Sequence, residues 1–180
     1  MTVSHSPGGP LVALALTVGA ALHRAGIRAV LTGGACAAMY TDGAYVSQDI
    51  DFIIQSAPTQ AALDTAMASI GFTRGGDRYV NPATNFYVEF PPGPLAVGAE
   101  AATPIEITGP AGTLLTLSAT DMAKDRLAAY LHWHDQQSLE LAVHIARLND
   151  VDMAEIKRWS RREGAQEEFE AFRRHALRIV

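Results

Sequence analysis

Cysteine is nearly absent from this 180-residue chain, where Cys36 stands alone. A single thiol excludes a disulfide framework and a cysteine-rich zinc site, and it suits a reducing compartment, so the expected location is cytoplasmic. Charge is sparse at 18% of residues, and aromatics make up 7%. With 48% hydrophobic residues, the composition is too apolar for intrinsic disorder and suits one domain with a sizeable core. A membrane-length apolar run is also missing. Residues 11–22 form an apolar stretch of 12 residues, against roughly 20 needed to span a bilayer. Nothing basic precedes that stretch, so it reads as a buried helix and no membrane association is expected. Nor is there an excess of cations, since the formal net charge is -5. Residues 1–150 are acidic, with 7 Lys and Arg against 13 Asp and Glu, while residues 151–180 carry 7 against 6. Attraction to a polyanion would have to be local, and no DNA sequence recognition is expected. Internal repeats and low-complexity segments are absent.

The pattern along the chain alternates helix and strand. Residues 10–25 read as an Ala- and Leu-rich helix opened by Pro10 and stopped at Gly26. A short strand at 27–31, a small apolar helix at 35–40, a strand at 50–54 and an amphipathic helix at 58–70 follow. The middle third offers four strand candidates at 72–80, 86–90, 105–107 and 114–117, separated by Gly, Pro and Asn. From Ser118, which opens a capping box, the pattern is helical again, with two or three more helices between residues 135 and 177. The expected fold is therefore α+β: a mixed sheet flanked by helices over residues 1–117, and a helical C-terminal part, 118–180, packed on it as a single unit.

The chemistry concentrates in Thr32-Gly33-Gly34 and, 14 residues later, Asp49-Ile50-Asp51-Phe52. A glycine pair directly after a buried strand lets backbone approach a ligand and exposes amide N–H groups that suit phosphate. Asp49 and Asp51 are two apart on a strand, so both side chains face one way. Two adjacent carboxylates repel unless a cation lies between them, and Mg²⁺ favours such oxygens. Taken alone, a Gly-Gly pair is often a turn and an Asp-x-Asp pair often a solvated strand end; the joint placement is what points to phosphoryl or nucleotidyl transfer. Glu89 sits in Phe86-Tyr87-Val88-Glu89-Phe90, where Val88 and Phe90 would face a core and Glu89 the opposite side. That position suits either solvent or a third metal ligand.

These motifs resemble the DNA polymerase β-type nucleotidyltransferase superfamily, and within it the small bacterial members grouped with AbiEii-type toxins. Leu31-Thr32-Gly33-Gly34-Ala35-Cys36-Ala37 together with Ser47-Gln48-Asp49-Ile50-Asp51-Phe52 is similar to the family's first motif. The resemblance implies that Gly33, Gly34 and Ser47 contact nucleotide phosphates, and that Asp49, Asp51 and Glu89 bind Mg²⁺ or Mn²⁺. It further implies that Lys124 holds the triphosphate and that Asp135 belongs to the nucleotide site, although Asp135 also reads as the N-cap of a helix starting at Gln136. Two features depart from the family pattern: the gap before Asp49 is long, and Tyr45 and Val46 stand where related toxins often carry a basic residue.

The implied function is Mg²⁺-dependent transfer of a nucleotide from an NTP to a hydroxyl of RNA, such as a tRNA, or of protein, as the toxin of a toxin–antitoxin pair with a cognate antitoxin. The alternative is a catalytically silent nucleotide- or partner-binding module on the same fold. Trp133 reads as core or as a base-stacking surface. Cys36 reads as a small buried apolar residue. The basic residues Lys157, Arg158, Arg161, Arg162, Arg173, Arg174 and Arg178 read as a solvated helix face or an RNA-facing edge.

Overall fold

The apolar periodicity of the first segment produces a helix, α1 (Gly9–Arg24), and the computed structural model describes residues 9–177 from there onward. Residues 1–8 and 178–180, Arg178 among them, lie outside the described residues. In chain order there follow β1 (Ala29–Thr32), α2 (Gly33–Met39), β2 (Asp49–Ile54), α3 (Gln60–Ala68), β3 (Thr73–Gly75), β4 (Arg78–Val80) and β5 (Tyr87–Glu89). Then come β6 (Ala96–Val97), β7 (Glu100–Ala101), β8 (Ile105–Gly109), β9 (Gly112–Thr116), α4 (Ala119–Trp133), α5 (Gln136–Leu148), α6 (Met153–Arg162) and α7 (Gln166–Ala176). The expected α+β architecture, with a mixed sheet flanked by helices, is what the chain forms.

Two compact units emerge: residues 1–95 with 104–116, and residues 96–103 with 117–180. The first is built on a seven-stranded sheet in the order β3-β4-β5-β2-β1-β9-β8. β1 lies at its heart, antiparallel to β2 and parallel to β9, and β2 runs parallel to β5. The β-branched and aromatic residues that mark these strands in sequence supply the core: Val30, Leu31, Ile50, Phe52, Val88 and Leu114 are essentially inaccessible to solvent. The helix α1 packs its buried stripe, including Val18, Ala21 and Leu22, against β9 and β1. The single strand expected at 72–80 is instead a hairpin, β3–β4, because Gly76, at φ +72°, turns the chain back.

The second unit gathers the C-terminal helices around a two-stranded ribbon, β6–β7. This ribbon falls inside the 1–117 segment of the sequence reading, yet it belongs with the helices. Trp159 is fully buried, and its indole N–H donates to the Val97 carbonyl at 3.2 Å. The carboxylate of Glu100 accepts two hydrogen bonds from the Arg158 guanidinium, at 2.9 Å each, and a third from Arg162 at 2.8 Å. Two residues of the basic tail thus spend their charge on a ribbon acid. Helix entry follows sequence rules: Ser118 accepts from the Asp121 N–H, Asp135 from Gln137 and Asp152 from Glu155. No helix of the described residues is long and apolar enough to cross a membrane.

The hydrogen bonds from Arg158, and then the one from Arg162, hold the Glu100 carboxyl down at about 2, against an ordinary 4.5. A carboxyl depressed on folding stabilises the native state above its unfolded pKa and loses that contribution as pH falls toward its folded one. The Glu100→Gln variant is therefore expected to melt about 2–4 °C below wild type at pH 7. That gap should close as pH falls from about 4.5 to about 2. Thermal melts of both proteins across that window check it.

Candidate active site

Strand pairing assembles the site. Ile50 and Phe52 enter the core, so the alternation of β2 turns Asp49 and Asp51 to the other face. The parallel register of β2 and β5 sets Asp51 opposite Glu89 and Asp49 opposite Tyr87. Each of the three acids offers a carboxylate oxygen within 4.8 Å of the others, and all three are half-buried. Among the described residues no other group of three or more His, Cys, Asp or Glu side chains comes so close. An all-carboxylate set at this spacing is the donor chemistry that Mg²⁺ and Mn²⁺ prefer, so the residues present fit such an ion.

The glycine step lies against these acids. Thr32 pairs with Asp51 across the antiparallel β1–β2 ladder, and its hydroxyl donates to the Asp51 carbonyl at 3.4 Å. Helix α2 begins at Gly33 itself, two residues before the expected start. Gly33 has φ +62°, and a Cβ there would lie 2.5 Å from Oδ2 of Asp51. Both facts demand glycine: the left-handed backbone disfavours a side chain, and the carboxylate occupies its space. At Gly34, a Cβ would meet Cβ and Oγ of Ser47 at 2.7 Å and the Tyr45 ring at 3.0 Å. The Ser47 hydroxyl donates to Oδ1 of Asp49. Ser47 therefore bridges the loop over the glycine step and the first acid.

One residue that sequence reasoning missed completes this face. Arg78 of β4 pairs with Glu89 in the β4–β5 ladder, with its Nε 3.6 Å from Oε1 of Glu89 and 3.4 Å from Oδ1 of Asp77. Its guanidinium carbon stands 4.4 Å from the centre of the Tyr87 ring. The hydrogen bond that Arg78 donates to Asp77, with the negative charges of Asp77 and Glu89, raises the Arg78 pKa above its ordinary value. The alternation Arg78-Tyr79-Val80 was the available signal, but it lay within a stretch read as one strand.

The other expected site residues lie in the second unit. Lys124 is buried, with Nζ 2.8 Å from Asp121 and 3.2 Å from Glu155. Burial opposes its charge, but the hydrogen bonds and charges of Asp121 and Glu155 outweigh that, and its pKa is raised. Asp135 caps α5 and accepts from the Ser138 hydroxyl at 2.6 Å; that bond, ahead of the backbone amides, lowers its pKa. Trp133 is not core, since it is 81% exposed. Cys36 is fully buried, with Sγ 3.2 Å from the Thr116 hydroxyl.

No protein-family model matches the chain, and no curated protein matches it in sequence. Among solved structures, it superposes on an antigenic nucleotidyltransferase-like protein from Paracoccidioides brasiliensis, with a TM-score of 0.55 over 94% of each chain and 13% identity. The fold is nucleotidyltransferase-like. In this nucleotidyltransferase-like sheet, the three acids lie together on one face of two adjacent strands.

Ligand linkage makes the metal reading measurable. Mg²⁺ or Mn²⁺ at about a hundred times its Kd should stabilise the protein by about 2.7 kcal/mol, a rise of roughly 5–10 °C in Tm. The Asp51→Asn variant should lose this rise. Gly33→Ala is expected to cost about 1–3 kcal/mol without metal, from its left-handed backbone and its collision with Asp51, and to shrink the metal-induced rise as well. Thermal melts with and without Mn²⁺ measure both effects.

Proposed function

We propose that the protein is a nucleotidyltransferase that moves a nucleoside monophosphate from an NTP to an acceptor hydroxyl. The observation that carries this reading is the convergence of Asp49, Asp51 and Glu89 on one face of a nucleotidyltransferase-like sheet. Asp49, steadied by Ser47, and Asp51 would hold Mg²⁺ or Mn²⁺ together with Glu89. Bound there, the ion supplies charge neutralisation at the transferring phosphoryl group and orientation of the triphosphate. Glu89 stands at the outer end of the acid row, toward β4, and takes the proton of the acceptor hydroxyl. The hydroxyl oxygen forms a bond to the α-phosphorus as the bond to pyrophosphate breaks. Gly33 and Gly34 would bring backbone N–H groups to the phosphates. Lys124 toward the triphosphate, Asp135 in the nucleotide site and an RNA or protein acceptor in a toxin–antitoxin setting come from the AbiEii-type resemblance alone.

One observation favours a second reading, that of a silent nucleotide- or partner-binding module. Ser47 and Tyr45 press on Gly34, the position from which a phosphate would be gripped. For catalysis, the loop at residues 42–48 must yield to the nucleotide.

Incubation with each α-labelled NTP, Mn²⁺, and cellular RNA and protein separates the readings. The enzyme reading predicts label on an acceptor, reduced on the order of a thousandfold in Asp51→Ala. Metal-dependent NTP binding without transfer from any nucleotide would leave the silent module.

A further inference from the structure

The acid row has a cationic neighbour that the proposed chemistry does not yet use. Across three paired strands the order is Asp51, Glu89, Arg78, and in the next row Asp49, Tyr87, Val80. One side of Glu89 therefore carries a second acid, and the other carries a guanidinium above an aromatic ring. Arg78 is not consumed by its neighbours. Its closest approaches to Asp77 and Glu89 are through Nε, at 3.4 and 3.6 Å, and its two terminal amino groups make no hydrogen bond with any described residue. Its side chain is 39% exposed, and its guanidinium carbon lies over the Tyr87 ring, which attracts the cation. A planar donor fork held in place and left open at its tip is the chemistry that recognises a phosphate.

We propose that Arg78, positioned by Tyr87, is the phosphate-binding residue of the acceptor subsite, and that the acceptor is an RNA end rather than a protein side chain. The inference rests on the nucleotidyltransferase reading above. A terminal ribose carries both the attacking hydroxyl and, across the same sugar ring, a phosphate. The group that orients the hydroxyl then needs a cation beside it, and Arg78 is one strand away from Glu89. A serine, threonine or tyrosine acceptor carries no such anion and gives Arg78 nothing to bind.

Two titrations test the proposal and keep it separable from the metal reading. A short fluorescent single-stranded RNA with a free 3′-hydroxyl is titrated with the full chain in EDTA, at several salt concentrations. Mn²⁺ binding is titrated separately by electron paramagnetic resonance. Arg78→Ala and the shape-preserving Arg78→Gln are expected to weaken RNA binding roughly tenfold. The slope of log affinity against log salt should fall by about one. Tyr87→Leu should weaken binding in the wild-type background and add nothing in Arg78→Ala, a non-additivity that a merely structural role would not produce. Arg74→Ala, whose guanidinium lies 3.5 Å from Asp64 on the alternate face of the hairpin, should bind RNA as wild type does. Mn²⁺ binding that survives in Arg78→Ala while RNA affinity and salt slope stay at wild-type values overturns the subsite and leaves the metal reading standing. Transfer of label to protein at an undiminished rate in Arg78→Ala also overturns it. Absent Mn²⁺ binding overturns the metal reading, while the RNA titration still decides Arg78.

Discussion

The register of β2 against β5 is the constraint on which the site depends. Asp51 faces Glu89 only because Ile50 pairs with Val88 on the buried side of the same two strands. A slip of one residue would carry Glu89 into the core and Val88 into the acid row. Aromatic packing locks that register. The Phe90 ring stands edge-on to Tyr79 at 5.6 Å and beside Phe52 at 6.3 Å, so β4, β5 and β2 are joined through side chains as well as ladders. Tyr79 is tied in turn to α3 by a hydrogen bond from its hydroxyl to Asp64 at 2.5 Å. Burial, and then that bond, push the Tyr79 hydroxyl up to about 12, so it stays a donor at every physiological pH. The apolar face of the sheet thus fixes the polar face.

Like charges brought together at this cost imply a compensating cation. Arg78 offsets Glu89 from the β4 side, the Ser47 hydroxyl donates to Asp49, and the Thr32 hydroxyl donates to the Asp51 backbone carbonyl. Glycine at position 33 lets the start of α2 come within reach of Asp51 without a side chain intervening. The same economy governs the second unit, where Glu100 and Trp159 bind a short ribbon to α6 through side chains because two-residue strands have little ladder of their own.

Much of this was legible in the sequence, and for local reasons. Alternation placed Asp49 with Asp51, and Val88 opposite Glu89, because a strand's period of two leaves no other choice. Ser118 and Asp135 announced helix starts through their capping side chains. What the sequence could not reveal was pairing between distant segments. Arg78 reaches Glu89 only through the β4–β5 ladder, and β4 is a separate strand because Gly75-Gly76-Asp77 turns the chain in the middle of the segment 72–80. The partner of Lys124, Glu155, stands 31 positions later, a pairing that no local pattern announces. The ribbon at 96–101 is too short to carry a periodic signal, and its membership of the helical unit depends on Arg158 and Trp159.

The central claim is that Asp49, Asp51 and Glu89 form one divalent-cation site, and anomalous diffraction tests it most directly. Crystals grown with Mn²⁺ and a non-hydrolysable NTP analogue should give a manganese peak within coordination distance of all three carboxylates, with the triphosphate against Gly33. A peak elsewhere, or none at these acids with the nucleotide bound, would contradict the account.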